Sequence, residues 1–323
     1  MTAMRRLRLG TRGSALALVQ ARHVAALLRQ RGSFESEIVE IKTAGDRLVD
    51  VPLASVGGKG LFVKELEEAL LAGTIDIAVH SSKDMPATLA TGLEVVAALP
   101  REDPSDAFVL RLGTPVSSFS DALRALGTSP AIGTSSVRRV AQLAAAIPGA
   151  RFQPLRGNVD TRLRKLDDGQ ADAVVLAAAG LRRLGLDHRI SALVPVDLCL
   201  PSPGQGTVAV EARAADHAVR DALGELDDAV SAACLRAERA VVSRLGGGCQ
   251  MPIGALATIA DDQLWLRCVV ATPDGSRAVR AEARGHMTGA IELGTEAADR
   301  LLASGASEIL DALSGGAADT HHT

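Results

Sequence analysis

The apolar positions of the chain switch repeatedly between two periods, and each switch marks an element. Leu16, Val19, Val24, Leu27 and Leu28 recur at the three- to four-residue spacing of a helix that Ser14 would cap and Gly32 would close. Short runs at 8–11 and 37–41 flank it and predict strands. Residues 46–60 lose the pattern. They are polar at the start and glycine-rich at the end, which predicts a long mobile loop. A helix is predicted over 61–71, stopped by Gly73. A buried strand follows over 75–80, then a loop at 81–86 leaving its C-terminal end, and a further strand over 93–99.

The same order then starts again. Ala131-Ile-Gly-Thr-Ser-Ser136-Val-Arg-Arg139 echoes Leu9-Gly-Thr-Arg-Gly-Ser14: a strand, a Gly-Thr turn, a serine, a helix. In both Leu166-Asp-Asp-Gly169-Gln-Ala-Asp172-Ala-Val-Val175 and Leu71-Ala-Gly73-Thr-Ile-Asp76-Ile-Ala-Val79, a helix ends on glycine and an aspartate leads into an apolar strand. Each match is short enough to arise by chance, but the order is preserved. Two similar α/β lobes are the economical explanation. Strands alternating with helices predict largely parallel sheets, with ligands at the C-terminal ends of the strands. Leu200-Pro-Ser-Pro-Gly-Gln-Gly206 marks a crossing between lobes, and a strand over 207–211 would return to the first lobe. Beyond it, 227–245 predicts a long amphipathic helix. Strands are predicted over 253–259, 264–271 and 277–283, with a tight turn at Pro273-Asp-Gly-Ser276, and a helix over 290–313. This last part reads as a third, α+β unit. The small polar residues at 315–323 predict a frayed tail.

Composition narrows the function classes. The 323 residues are 47% hydrophobic and 23% charged, ordinary for a protein that buries large cores. Aromatic residues make up only 2%, so the stacking platforms of single-strand nucleic-acid binders are missing, and a net charge of −3 supplies no attracting field. No run of about 18 apolar residues exists to span a membrane. The basic start, Met1-Thr-Ala-Met-Arg-Arg-Leu-Arg, lacks the apolar stretch of a secretion signal, so the cytoplasm is the expected location. Cys199, Cys234, Cys249 and Cys268 form no C-x-x-C pair and have no histidine at zinc spacing, so neither a metal site nor a disulfide framework is expected. Cys234 and Cys268 fall in a helix and a strand as core. Cys249 sits on Leu245-Gly-Gly-Gly-Cys249-Gln-Met-Pro, where glycines let backbone approach a ligand closely. It reads equally as a small buried hydrophobe after a helix end or as a thiol presented for reaction or modification.

Charge is informative locally. Residues 131–190 carry nine Arg and one Lys against five Asp. Arg138 and Arg139 follow a strand at a helix start, and Arg156 precedes Gly157-Asn158 in a similar setting. Helix N-termini offer unpaired N–H groups there, and Arg adds a bidentate fork. Arg164, Arg182 and Arg189 read as solvated surface residues. A cleft so lined is expected to bind an anion carrying several carboxylates or phosphates. In Ser81-Ser-Lys83-Asp84 a cation and a carboxylate leave one strand end together. They form either an exposed ion pair of little energetic weight, or an aspartate kept ionised among cations and able to stabilise a developing positive charge. His80 and His188 stand alone and read as structural. Val56-Gly-Gly-Lys59 is no P-loop, because Leu53 stands where the first glycine belongs.

Eight stretches together make the chain resemble the porphobilinogen deaminase (hydroxymethylbilane synthase) family. They are Gly10-Thr-Arg-Gly-Ser-Ala-Leu-Ala-Leu, Val56-Gly-Gly-Lys-Gly-Leu-Phe-Val-Lys-Glu-Leu, Ala78-Val-His-Ser-Ser-Lys-Asp-Met-Pro, Arg101-Glu-Asp-Pro-Ser-Asp-Ala-Phe, Gly133-Thr-Ser-Ser-Val-Arg-Arg, Leu155-Arg-Gly-Asn-Val-Asp-Thr-Arg-Leu, Pro203-Gly-Gln-Gly and Gly247-Gly-Cys-Gln-Met-Pro-Ile-Gly. Any one alone is weak; in this order, between about residues 7 and 313, they are specific.

The resemblance implies an α/β fold: two periplasmic-binding-protein-like lobes hinged across a cleft, plus a smaller α+β C-terminal domain. The first lobe would comprise 1–103 and 204–226, the second, with its arginine-rich cleft wall, 104–203, and the third domain 227–314. It implies a dipyrromethane cofactor in thioether linkage to Cys249, with porphobilinogen as substrate. Each porphobilinogen would lose ammonia to give an azafulvene-like cation, attacked by the free α-position of the terminal pyrrole. After four additions, hydrolysis would release hydroxymethylbilane and leave the cofactor attached. By motif position Asp84 is the catalytic residue, binding pyrrole N–H groups and stabilising the cation. Ser81, Lys83, Thr134, Ser136, Arg138, Arg139, Arg156, Arg162 and Arg183 would hold the carboxylates of the cofactor. Arg12, Ser14, Gln20, Lys59 and Phe62 would face the substrate, the last two from a lid over 46–62. The family expectation is a cytoplasmic monomer of tetrapyrrole and heme biosynthesis, with no metal, nucleic-acid or membrane partner.

Two other readings compete. A non-enzymatic solute- or effector-binding protein of two-lobed fold would explain the repeat and the arginines, but not a third domain presenting Gly-Gly-Cys-Gln. An RNA-binding protein would need the aromatic residues and positive charge that this chain lacks.

Overall fold

The computed structural model describes residues 6–31, 34–47, 60, 62–247 and 251–315. Lys59, Cys249, the greater part of the loop expected over 46–60 and the tail from 316 onward lie outside the described residues. The chain opens with β1 (Arg6–Thr11), α1 (Ala15–Gln30), β2 (Glu35–Glu40) and one turn of helix, α2 (Ala44–Arg47). Then come α3 (Lys64–Leu71), β3 (Ile77–Ser81) with a 3-10 turn over Ser82–Asp84, and β4 (Leu93–Ala98). A second set follows: β5 (Asp106–Leu110), α4 (Phe119–Leu126), β6 (Ala131–Gly133), α5 (Val137–Ala146), β7 (Arg151–Gln153), α6 (Val159–Asp167), β8 (Ala173–Ala177), α7 (Ala178–Arg183) and β9 (Ala192–Leu193). The chain continues with β10 (Val208–Arg213), α8 (His217–Gly224) and α9 (Ala229–Arg244). It ends with β11 (Ile253–Ala260), β12 (Gln263–Ala271), β13 (Ala278–His286), α10 (Ala290–Ala303) and α11 (Ala306–Gly315).

The repeat read from the sequence is real at the level of topology. One sheet runs β2-β1-β3-β10-β4 and the other β7-β6-β8-β5-β9, the same order with equivalent strands in equivalent places. The sheets are not purely parallel, however. β10 runs antiparallel to β3 and β4, and β5 antiparallel to β8 and β9. The reason is the crossing. Each of these strands arrives from the other lobe, so it begins where its neighbours end: Val208 stands opposite Ser81, and Asp106 opposite Ala177. The two antiparallel strands therefore start at the same edge to which β3 and β8 deliver their C-terminal residues.

Each lobe buries an apolar layer on its sheet. Leu7, Leu9, Val24, Leu28, Ile77 and Val210 fill one layer, and Phe108, Ile132, Leu143 and Val175 another. Fully burying a side chain of this size contributes about 1.5–3 kcal/mol. The third unit packs α9, α10 and α11 on one face of the β11-β12-β13 sheet. The single helix expected over 290–313 is two, broken at Ser304-Gly305, where Gly305 takes a φ of 93° that ends α10. Glu238 of α9 is fully buried and ties this unit to the crossings. It accepts from Arg101 Nη1 at 2.7 Å, Gly204 N at 2.6 Å and Ala257 N at 2.7 Å. No helix among the described residues is long and apolar enough to cross a membrane.

Candidate functional site

Strand order puts the informative residues at one edge. β1, β3, β6 and β8 end there, and the helices that follow β1 and β6 start there. Ser14 and Ser136 cap α1 and α5, accepting from Ala17 N at 3.3 Å and Arg139 N at 3.4 Å. Thr134, buried, accepts from Ser136 N through Oγ1 at 3.3 Å. Ser81 exchanges hydrogen bonds with the buried Gln20 amide at 2.9 and 3.1 Å.

Asp84 leaves the end of β3 with its side chain 36% exposed, and Arg12 Nη1 stands 3.9 Å from its Oδ2. The Arg12 guanidinium also donates to Asp46 at 2.6 Å and lies 4.2 Å over the Phe62 ring. Burial alone would raise the Asp46 carboxyl; Arg12 and Thr43 outweigh it and hold the group below the usual carboxylate range. Phe62 packs so closely on Gly45 that a Cβ there would meet the ring at 2.1 Å. Arg12, Phe62 and Asp46 thus form one platform beside Asp84.

The second lobe supplies cations across from Asp84. Burial, with help from Arg139 and Arg156, lowers the Arg162 guanidinium to about 10, and the Asp84 charge opposes that shift. Arg162 remains a cation at neutral pH and feels the carboxylate of the other lobe. Its Nε donates to Gly157 O at 2.8 Å. Arg183, half-buried, donates to Gly206 O at 2.6 Å, and burial lowers its guanidinium. Arg156 is half-buried at the approach to α6. Lys83 donates to Gln205 Oε1 at 3.3 Å. Burial pushes its ammonium down to about 8, with Asp84 opposing and Arg139 adding to the shift.

Arg138 and Arg139 depart from the expectation that both face the cleft. Both are buried, folded onto Asp106 at the start of β5. Arg138 gives Nη1 to Asp106 Oδ2 at 2.9 Å, to Leu200 O at 2.7 Å and to Cys199 Sγ at 3.2 Å. Arg139 gives Nε and Nη2 to Asp106 Oδ1 at 3.1 and 2.8 Å, and Nη1 to Val175 O at 2.8 Å. Burial would raise the Asp106 carboxyl, but the two guanidiniums hold it far below the usual range. In this arrangement Arg138 braces the crossing segment. Arg139 lies closer to the site, where its charge depresses both Lys83 and Arg162. Arg189 also departs from its surface reading, because its guanidinium pairs with Asp167 at 2.7 Å and is largely covered.

The edge therefore sets the partly exposed Asp84 carboxylate, with Asp46 and Asp106 paired to arginines near it, within a set of cations drawn from both lobes, which is the donor set a polycarboxylate would need. Sequence comparison decides between such ligands. Residues 7–221 match the family model described as porphobilinogen deaminase, dipyromethane cofactor binding domain, and 232–303 match the porphobilinogen deaminase C-terminal domain. The chain belongs to the porphobilinogen deaminase family. Porphobilinogen deaminases from two strains of Acidithiobacillus ferrooxidans are 48% identical over 306 residues, covering 94% of this chain and 97% of theirs. The match to the C-terminal domain is what a solute-binding protein of two lobes would not show. Among solved structures, the periplasmic VFT2 domain of Bordetella pertussis BvgS aligns at 15% identity and a TM-score of 0.40, over 70% of this chain and 88% of that one. The periplasmic aliphatic sulphonate binding protein of Escherichia coli aligns at 14% and 0.38, over 74% and 70%.

A dipyrromethane carries acetate and propionate groups, and the residues present fit it: Lys83, Arg156 and Arg162 offer a cationic wall, with the buried Arg139 behind it coupled to Lys83 and Arg162. Cys249, the residue that the resemblance marks for cofactor attachment, lies outside the described residues, as does Lys59. Sequence reasoning gave no role to Asp106 and Gln205, although both stood in motifs. Gln205 accepts from Lys83 and donates to Asp106 Oδ1 at 2.9 Å and Pro104 O at 2.7 Å, linking the two lobes through the crossing. A signal was present for Asp106: an acid opening a strand whose residues are all buried must be paired.

Proposed function

We propose that the edge shared by the two lobes is where porphobilinogen is deaminated and joined head to tail, four times over, on a dipyrromethane primer held by Cys249, with hydrolysis releasing hydroxymethylbilane. The observation that carries this reading is the Asp84 carboxylate, partly exposed, 3.9 Å from Arg12 of its own lobe and acting by its charge on Arg162 of the other. Asp84 accepts hydrogen bonds from pyrrole N–H groups and stabilises positive charge as ammonia leaves. Arg12, Arg156, Arg162, Arg183 and Lys83 bind acetate and propionate groups, with Ser14, Ser81, Thr134 and Ser136 adding hydroxyls at the helix starts. Gln20 orients Ser81, and Phe62 and Lys59 cover the substrate. Arg138 and Arg139 act on the cofactor through the Asp106 brace, with Arg139 reaching it more directly. When bound, the dipyrromethane supplies the pyrrole α-position from which the chain grows. The lobes divide at 1–103 with 204–226 and at 104–203, and 227–314 carries the cofactor cysteine. The protein works as a cytoplasmic monomer, as the family resemblance implies.

The test is the mass of the Cys249 peptide from purified, active protein. An increment of two pyrrole units is expected, together with discrete pyrrole-sized steps in intact mass on adding porphobilinogen. An unmodified Cys249 in active protein overturns the assignment.

A further inference from the structure

A buried polar cluster lies behind the strand that delivers Asp84. His80 of β3 and Glu211 of β10 are enclosed, with His80 Nε2 2.9 Å from Glu211 Oε2. Glu211 is 0% exposed, and its second oxygen, Oε1, has no partner among the described residues. Strand alternation puts His80 on the face of Ala78 and Glu211 on the face of Ala209, opposite the face that α1 covers. Two further charged residues approach this face. Glu67 of α3 accepts from Ala90 N at 3.2 Å, and Arg239 of α9 donates to Ala87 O at 3.0 Å. Burial raises the Glu67 carboxyl and the Glu211 charge adds to it, while His80 and Arg239 oppose. The cluster therefore joins α3, β3, β10 and α9.

Stability does not explain these residues. The neighbours on this face are Leu66, Leu70, Met85 and Leu235, and an apolar pair of similar volume would fill such a layer at little or no loss. The backbone is irregular at the same level: the register of β10 against β4 shifts between Val210 and Glu211. Bulges of this kind re-aim side chains beside sites. His80 is the residue immediately before Ser81 and the turn that carries Lys83 and Asp84, and Ser82 N is tied to Thr207 O at 3.0 Å just ahead of β10.

We propose that His80 is a positioning residue for the reaction: its ring, hydrogen-bonded to Glu211, locks the end of β3 to β10 and so sets where Ser81, Lys83 and Asp84 stand. The proposal rests on the active-site reading above. It is tested with the double variant His80→Phe/Glu211→Leu, which removes the hydrogen bond without leaving a buried acid unpaired and so keeps a Tm near that of the parent. Turnover of porphobilinogen should fall about ten- to hundred-fold in kcat, with KM changed less than about two-fold. Deuterium exchange of residues 81–85 should rise. His80→Gln, which keeps a donor, should recover part of kcat. A double variant with parental kcat and unchanged exchange overturns the proposal. If the double variant does not fold, His80→Gln and Glu211→Gln decide, and parental kcat and exchange in both overturn it. Parent protein inactive on porphobilinogen would sink the active-site reading instead, while the exchange measurement still decides whether His80 orders the turn.

Discussion

Asp106→Asn is the most informative single change, because one carboxylate holds two guanidiniums and the crossing together. Asp106 is 0% exposed and accepts from Arg138 at 2.9 and 3.2 Å, Arg139 at 3.1 and 2.8 Å, and Gln205 at 2.9 Å. Asparagine keeps the shape but removes the charge and turns N–H donors toward donors. Breaking a buried ion pair by removing one partner costs about 3–5 kcal/mol. That is roughly a hundred- to several-thousand-fold in the folding equilibrium, and a Tm drop on the order of 10 °C. Urea denaturation followed by circular dichroism measures it. The pH dependence supplies the sign check. The folded carboxyl is held well below its usual range, so its contribution is present above the unfolded value of about 4 and is lost as pH falls toward the folded one. The gap between parent and variant should therefore persist from neutral pH down to about 5 and narrow below about 4. A gap under about 1 kcal/mol at pH 7, or one that does not narrow in acid, refutes the reasoning.

Two further outcomes follow from the same geometry. Asp84→Asn, at a position more than a third exposed, should leave Tm within about 2 °C of the parent, while porphobilinogen-dependent ammonia release falls at least about a hundred-fold; near-parental release would show that the carboxylate is dispensable. Lys83 is depressed to about 8 by burial, so the unfolded chain holds the proton more tightly between about pH 8 and 10.4. Its contribution is unfavourable at neutral pH and is relieved as pH rises through that window, so Lys83→Met should flatten the rise in stability there; an unchanged slope would refute the burial of the ammonium.

Most elements were legible because their signals are local. Periods of 3.6 and 2 come from backbone geometry within a few residues, so α1, β3, α9 and the C-terminal strands could be read from Leu16, Ile77 or Leu266 and their neighbours. The short strand β7 was missed because three residues carry no period. The break at Gly305 was missed because a lone glycine is tolerated inside a helical pattern. Strand β5 was not read at all, and the antiparallel course of β10 was hidden, since it depends on which lobe a strand arrives from.

The chemistry divides along the same line. By itself the sequence determined that a carboxylate and a lysine leave the end of one strand, that arginines cluster at strand-to-helix turns, and that the motifs carrying them occur in one order. Only tertiary structure decided where those arginines point. Arg138 and Arg139 are adjacent in a helix start that looked like an open anion site. They turn inward because Asp106, some thirty residues earlier, enters from the other lobe at that same level. Lys83 meets Gln205 across 122 residues, and His80 meets Glu211 across 131. Spacing along the chain carries no information about such pairs. They exist because two chain crossings bring the starts of β5 and β10 to the edge where β3 and β8 end, and a buried charge delivered there must find its partner across the sheet.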